Sequence, residues 1–124
     1  MTNKRYHALH LAAISDHPEV IRIFMEKEEL KFNINVKDWD GMTPLLHAAR
    51  KGSLASIKFI LEHGGDLYAA DKLKMTALHH AAFSNHTACV KELIFRDSDE
   101  DKLIGMRNSK GKLPKDLSNS TAIF

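Results

Sequence analysis

Disulfide chemistry, membrane spans and secretion signals are all missing from this sequence of 124 residues. Cys89 is the only cysteine, which excludes an internal disulfide and a thiolate metal cluster. No continuous apolar run reaches the roughly 18 residues that a membrane helix needs, and the opening residues lack the apolar segment of a secretory signal. We therefore expect a cytoplasmic protein, with the nucleus as the alternative, and neither secretion nor membrane insertion.

An excess of either charge is also missing, since 18 lysines and arginines accompany 16 acidic residues, for a formal net charge of +2. This balance gives no argument for nucleic acid or an anionic membrane as the partner. Nucleotide-binding glycine loops, the zinc-protease motif and a nucleophile elbow are absent, so we predict no cofactor and no catalytic activity. Eight histidines are present, but His86 and Cys89, which have helical spacing, supply too few ligands for a zinc site.

What the sequence does contain is a repeated segment. TPLLHAA begins at Thr43 and TALHHAA begins at Thr76, an offset of 33 residues, and the related HALHLAA begins 36 residues before Thr43. A degenerate fourth copy begins at Leu113. An acidic or amide residue stands five positions before Thr43, Thr76 and Leu113, at Asp38, Asp71 and Asn108 respectively. A second apolar segment follows each pair of alanines. Each unit therefore predicts a turn, a short helix, a loop and a longer helix.

The residue types in the unit have physical reasons. Thr43 can cap a helix through its hydroxyl, and Pro44 fits the first helical position, where a missing N–H costs nothing. The alanine pairs, such as Ala48–Ala49, leave no bulk, so a neighbouring helix can approach closely. Gly64 stands at the predicted end of a second helix, where a left-handed cap is favoured.

Together these features resemble the ankyrin repeats, a family with a period of 33 residues and a T-P-L-H-x-A signature. The resemblance covers roughly residues 5 to 118. It implies an all-α solenoid of stacked helix-turn-helix units with short hairpin loops. We predict one domain over residues 1–124, made of repeats at about 5–33, 34–66 and 67–103, a degenerate C-terminal cap at 104–118 and a tail at 119–124.

The resemblance also implies a structural role for the signature histidine, a position filled by His10 and His79. In the family, the signature threonine and histidine form hydrogen bonds that brace adjacent repeats. Leu46 takes the histidine position in the middle repeat, so we expect that repeat to lose part of the brace and to gain apolar packing. Cys89 falls at an apolar position of a second helix and is expected in the core.

Family resemblance places partner binding on the concave face, formed by the hairpin tips and the exposed positions of the first helices. The predicted contact residues are Ile14, Lys37, Trp39, Asp40, Met42, Arg50, Lys51, Lys72, Leu73, Met75 and Phe83, and Lys110 and Lys112 extend their basic border. Tryptophan and arginine are enriched at binding hot spots, and methionine suits adaptable contacts. We therefore predict a non-catalytic module that binds a protein or peptide with an apolar anchor and acidic flanks, with Trp39 as the main contact.

Other functions stay open at this stage. The chain could be a regulatory or targeting segment excised from a larger protein, such as an enzyme, a channel or a ubiquitin-ligase adaptor, because its first repeat begins without the hairpin that opens the others. Nucleic-acid binding through the basic border is disfavoured by the balanced charge and by the interleaved Asp38, Asp40 and Asp71. The oligomeric state is open, with a monomer as the default.

The sharpest charge feature is the segment DSDED at residues 97–101. Its plainer interpretation is a solvated loop between repeats. Because acidic residues occupy the three positions after Ser98, the segment also resembles a substrate of acidophilic kinases. Ser98 is therefore a candidate phosphorylation site.

Overall fold

The computed structural model describes residues 4–26, 33–99 and 101–118. Within these ranges the chain forms seven helices: α1 Lys4–Ile14, α2 Pro18–Glu26, α3 Pro44–Lys51, α4 Leu54–Glu62, α5 Ala77–Phe83, α6 Thr87–Arg96 and α7 Pro114–Leu117. The first helices of the units pack side by side in the order α1, α3, α5, α7, and the second helices α2, α4 and α6 form the other layer. Apart from an isolated bridge between Ala70 and Thr76, this part of the chain contains no β-structure. The predicted all-α solenoid is confirmed.

None of the helices in the described ranges combines the length and the apolar character that crossing a membrane requires.

The first helices begin as the sequence predicts. The Thr43 hydroxyl accepts a hydrogen bond from the Leu46 N–H at 3.2 Å, with Pro44 at the first helical position. The equivalent Thr76 caps α5 in the same way, and its own N–H donates to the Nδ1 atom of His79 at 3.2 Å. Both threonines are buried, so these bonds satisfy donors that water cannot reach.

Alanine pairs lie where the first helices touch. Ala48 and Ala49 in α3 are fully buried, as are Ala81 and Ala82 in α5. Their small side chains let the backbones of neighbouring helices approach closely. Cys89 is 2% exposed, which confirms its predicted place in the core, and burial raises the pKa of its thiol to about 11.

The signature histidines join successive repeats. Nε2 of His10 donates to the carbonyl oxygens of Met42 and Val36, at 3.0 and 3.2 Å. Nε2 of His79 donates to the carbonyl oxygen of Lys112 at 2.9 Å. Leu46, at the same position of the middle repeat, is completely buried and packs in the core instead. The predicted exchange of a polar brace for apolar packing is confirmed.

Two further histidines tie the turns that begin at Asp38 and Asp71 to the helices that follow them, a role that the repeat pattern did not predict. Nε2 of His47 lies 2.8 Å from Oδ2 of Asp38, and Nε2 of His80 lies 2.9 Å from Oδ2 of Asp71. Burial acts to raise the pKa of Asp38, but hydrogen bonds from His47 and from two backbone N–H groups outweigh it and hold the pKa below its ordinary value. The sequence carries one indication of these pairs, because nine positions separate the aspartate from the histidine in both repeats.

Burial lowers the pKa of His47, His79 and His80, even though hydrogen bonds to each of them act in the opposite direction. The folded protein therefore resists protonation of these three rings. The unfolded chain takes up protons near a pH of about 6.5, the ordinary pKa of histidine. The stability that these groups contribute is fully present above that pH and is lost as the pH falls from it through the lowered pKa values of the folded state.

A matched pair of glycine substitutions tests the packing of the second repeat on the third. Gly52, which ends α3, has a φ of +78°, and a Cβ atom there would lie 2.7 Å from Nδ1 of His86. Gly64 has a φ of +94° but no atom within 4 Å of its Cβ position. We expect Gly64→Ala to cost roughly 1 kcal/mol of unfolding free energy through backbone strain, and Gly52→Ala to cost about 1–3 kcal/mol more because His86 must move. Urea denaturation of both variants measures the difference, and equal losses would contradict the close contact.

Acid titration tests the buried histidines. We expect the unfolding free energy to fall as the pH drops below about 6.5, because the unfolded chain binds protons that the folded His47, His79 and His80 resist. His80→Gln should reduce this slope by up to about one third. The matched control is His17→Gln, at an exposed position. Urea denaturation at a series of pH values gives the slopes, and the same slope for both variants would show that burial of His80 is not its source.

Candidate functional site

Three hairpins, at residues 38–42, 71–75 and 108–112, stack in a row beside the first helices. In each, the first residue accepts hydrogen bonds through its side chain from two backbone N–H groups further along the turn. The hairpins are joined by backbone bonds from Lys72 N–H to the Asp40 carbonyl at 3.3 Å and from Ser109 N–H to the Leu73 carbonyl at 2.9 Å. The positions of the tips are therefore fixed relative to one another.

Between the second and third hairpins lies a groove of about 730 Å³, here named the cap groove. Its walls come from the end of α3, the second hairpin, α5, the third hairpin and α7. The lining residues are Arg50, Lys51, Asp71, Leu73, Met75, His80, Phe83, Ser84, Asn108, Ser109, Lys110, Lys112 and Leu117. Both the volume and the mixture of apolar and polar walls are typical of ligand sites.

Apolar side chains in the cap groove are open to solvent. Leu73, near the tip of the second hairpin, is 62% exposed, and Phe83, the last residue of α5, is 63% exposed. Met75 is half-buried, and its sulfur accepts a hydrogen bond from Nδ2 of Asn108 at 3.3 Å. Leu73 and Phe83 are thus the two large apolar surfaces that a ligand can cover.

The charge around the cap groove is strongly one-sided. Arg50 and Lys51, in the last turn of α3, and Lys110 and Lys112, on the third hairpin, are all exposed. Among the lining residues that the structure describes, Asp71 is the single carboxylate, and it is only 8% exposed and is held by His80 and by backbone N–H groups. Although the chain as a whole has a formal charge of only +2, the described residues of this groove present four cations against one hydrogen-bonded carboxylate.

The predicted contact residues divide into two groups. Five of them line the cap groove: Arg50, Lys51, Leu73, Met75 and Phe83. Trp39 is 68% exposed on the first hairpin but does not belong to the lining, and Asp40 and Lys72 are exposed at the hairpin tips. The structure therefore separates the predicted anchor, Trp39, from the concave part of the surface.

Met42 was predicted as an exposed contact, and this prediction is wrong. Its side chain is only 6% exposed and belongs to the core. Its N–H donates to Asp38 and its carbonyl accepts from His10, so the residue is tied to the interior on both sides.

Two further predicted contacts are engaged within the array. The ammonium group of Lys37 donates to the carbonyl of Ala70 at 3.3 Å, which links the first and second hairpins. Ile14 is half-buried at the end of α1, and its carbonyl accepts from the Ser53 hydroxyl at 2.9 Å. Neither residue lines the cap groove.

Several lining residues escaped the prediction of contacts. Asp71, His80 and Asn108 belong to the repeat pattern, and that pattern does not indicate that they face a groove. Leu117 of α7 occupies the repeat position of His47 in α3 and His80 in α5. Alignment of the fourth copy with the other repeats could therefore have indicated that Leu117 faces the hairpins.

The side chains of His10, Asp38 and His47 place potential metal-ligand atoms within 4.8 Å of one another. Nε2 of His10 already donates to two carbonyls, and Nε2 of His47 already pairs with Asp38. The two rings meet edge to face, with centroids 5.2 Å apart. Hydrogen bonds of His10 between repeats and of His47 within the second repeat account for this cluster, so we assign it a bracing role.

The acidic loop after α6 is partly structural. Asp97 accepts hydrogen bonds from the Tyr68 hydroxyl at 2.6 Å and from the Leu103 N–H at 2.9 Å. The bond to Asp97 raises the pKa of Tyr68 to about 12, and the Lys102 ammonium lies 4.3 Å from the centre of the Tyr68 ring. Ser98 is exposed, and its phosphorylation stays a prediction.

Comparison with known proteins agrees with this architecture. The family model for "Ankyrin repeats (3 copies)" matches residues 1–71, and the model for a single "Ankyrin repeat" matches residues 74–103. The chain is 35% identical to inversin of Canis lupus familiaris, over 86% of the chain and 9% of that protein.

Plant proteins are also similar to the chain. It is 25% identical to the putative E3 ubiquitin-protein ligase XBAT31 of Arabidopsis thaliana, over 92% of the chain and 26% of that protein. It is 28% identical to the E3 ubiquitin-protein ligase XBAT33 of the same plant, over 93% of the chain and 22% of that protein. The chain thus spans between 9% and 26% of the length of these relatives. Because a single family model covers more than half of its residues, this chain belongs to the ankyrin-repeat family.

Proposed function

We propose that this repeat array is a non-catalytic module that binds a protein on the face formed by its hairpin tips and first helices. The partner presents an apolar anchor with acidic flanks. Membership of the ankyrin-repeat family supports protein interaction in general, whereas the binding face and the chemistry of the partner are our inference from the surface.

One observation carries the proposal: large apolar side chains are exposed on this face beside a row of cations. Trp39, Leu73 and Phe83 are each more than 60% exposed. Exposed apolar residues also occur on the second helices, where Phe95 is 82% exposed, so exposure alone does not select a face. The hairpin face is selected because its apolar residues adjoin a concavity whose walls carry four cationic side chains.

An alternative is that the array regulates or targets a larger protein of which it is one segment. The observation that favours it is the length of the relatives, since the chain corresponds to only 9% of inversin and 26% of XBAT31. Sequencing the transcript that encodes the chain distinguishes the two, because further domains in the same reading frame would identify a segment of a larger protein.

A capture experiment tests the binding face. Immobilised wild-type protein is compared with a Trp39→Ala, Phe83→Ala double variant, with a cytosolic extract and quantitative mass spectrometry as the readout. We expect at least one protein to be retained by the wild type and lost by the variant, because both residues are exposed and their removal leaves the core unchanged.

The matched control for this experiment is Phe95→Ala, which removes an exposed aromatic ring from a second helix. It should retain the same protein as the wild type, and circular dichroism should show that all three proteins are folded. Identical retention by wild type and double variant would contradict the proposed face.

The acidic loop yields a separate prediction. Ser98 is exposed between Asp97 and Asp99, so we expect an acidophilic protein kinase to add one phosphate to the wild-type chain and none to Ser98→Ala. Intact-mass spectrometry of the two treated proteins measures this directly. An unmodified wild-type chain, or equal modification of both proteins, would remove Ser98 as a phosphorylation site.

A further inference from the structure

Three successive units, the second repeat, the third repeat and the C-terminal cap, supply the walls of the cap groove. Arg50 and Lys51 approach it from α3, and Lys110 and Lys112 approach it from the third hairpin. Leu73 and Phe83 also line the groove. They belong to the third repeat, which stands between the repeat that contains α3 and the C-terminal cap. A cap whose only task was to cover the end of a solenoid would need a polar outer surface, but it would not need to complete a groove.

We infer that the cap groove is a binding site for a short acidic peptide segment that inserts one apolar side chain between Leu73 and Phe83. The inference rests on the proposed function and refines it in two respects. It moves the principal anchor from Trp39 to the cap groove, and it makes the C-terminal cap part of the binding site.

The charge of the groove selects an anionic occupant. In the part of the chain that the structure describes, its four cationic side chains are exposed, while its single carboxylate, Asp71, already accepts hydrogen bonds from His80 and from the backbone of Leu73 and Met75. A basic or neutral segment would leave these cations uncompensated. An acidic segment is attracted to them, which raises the association rate and fixes the orientation of the segment.

The apolar walls require one uncharged side chain in the occupant. Leu73 and Phe83 are each more than 60% exposed, so a ligand that covers them removes a large apolar surface from water. Aromatic and aliphatic anchors of this kind supply most of the energy in many interfaces, while charges at the rim add less.

The size of the groove favours a segment over the face of a folded domain. Its volume of about 730 Å³ is within the range of about 300–1,000 Å³ that is typical of sites for small ligands. Such a cavity holds a few side chains.

The walls are held in place before any ligand arrives. His79 donates to the carbonyl of Lys112 at 2.9 Å, which fixes the third hairpin against α5. The Ser109 N–H donates to the carbonyl of Leu73 at 2.9 Å, which fixes it against the second hairpin. A pre-formed site loses less conformational freedom on binding than one that must be ordered by its ligand.

Fluorescence anisotropy with a defined probe tests the inference. The probe is a fluorescein-labelled peptide with one phenylalanine between two runs of three glutamates. Two control peptides replace the phenylalanine by serine or the glutamates by lysines. We expect the wild-type protein to bind the first peptide, and both controls to bind at least about tenfold more weakly, because each lacks one of the two features that the groove recognises.

Variants of the protein assign the binding to the cap groove. Phe83→Ala should weaken it by roughly tenfold or more. The Lys110→Gln, Lys112→Gln variant should weaken it by about fivefold at low salt, with the difference disappearing at high salt. The matched controls are Phe95→Ala and the Lys58→Gln, Lys91→Gln variant. They make the same types of substitution at exposed positions of the second helices. These controls, and Trp39→Ala, should bind as the wild type does.

The outcomes separate the inference from the proposed function. If Trp39→Ala loses the peptide while Phe83→Ala keeps it, the cap groove is not the site, although the hairpin face still is. If the wild type does not bind the peptide, the inference is overturned, and the capture experiment decides the proposed function independently.

Other occupants would also overturn the inference. Tighter binding of a single-stranded oligonucleotide than of the acidic peptide would assign the four cations to nucleic acid. Self-association in sedimentation that is lost in Phe83→Ala would assign the groove to a second copy of the chain.

Discussion

Helices α2 to α6 contain no more than ten residues each, and helices of this length are marginal in isolation. They are stable only if each buries its apolar side against a neighbour, so close stacking of the units is the constraint on which the whole structure depends. The buried alanine pairs of α3 and α5 allow the first helices to approach. The hydrogen bonds of His10 and His79 then fix one unit relative to the next, because each histidine reaches the backbone of the following hairpin.

The same bonds that stabilise the array also build its surface. Asp71 receives a hydrogen bond from His80 on one side and from the Leu73 and Met75 N–H groups on the other, which sets the conformation of the second hairpin. The third hairpin is tied to the second hairpin and to α5. Stability and the shape of the cap groove therefore have a common origin, and a change to the braces should alter both together.

Sequence reasoning predicted the features that depend on periodicity. The repeat spacing, the cap at Thr43 and the burial of Cys89 all follow from residue types at fixed offsets. The same reasoning did not predict which side chains are buried where their direction depends on contacts between units. Met42 is apolar and sits at the base of a hairpin, so its sequence position does not distinguish a core residue from an exposed contact. The cap groove was likewise not predictable, because its walls come from three successive units that are distant in the chain.

We propose that binding is concentrated at the cap groove, and backbone NMR of the isotopically labelled protein locates the bound peptide residue by residue. Titration with the glutamate-flanked phenylalanine peptide should shift the amide resonances of Leu73, Phe83 and Lys110 most strongly. The amides of the second helices, such as that of Phe95, should stay in place. Shifts concentrated around Trp39 or on the second helices would contradict this account.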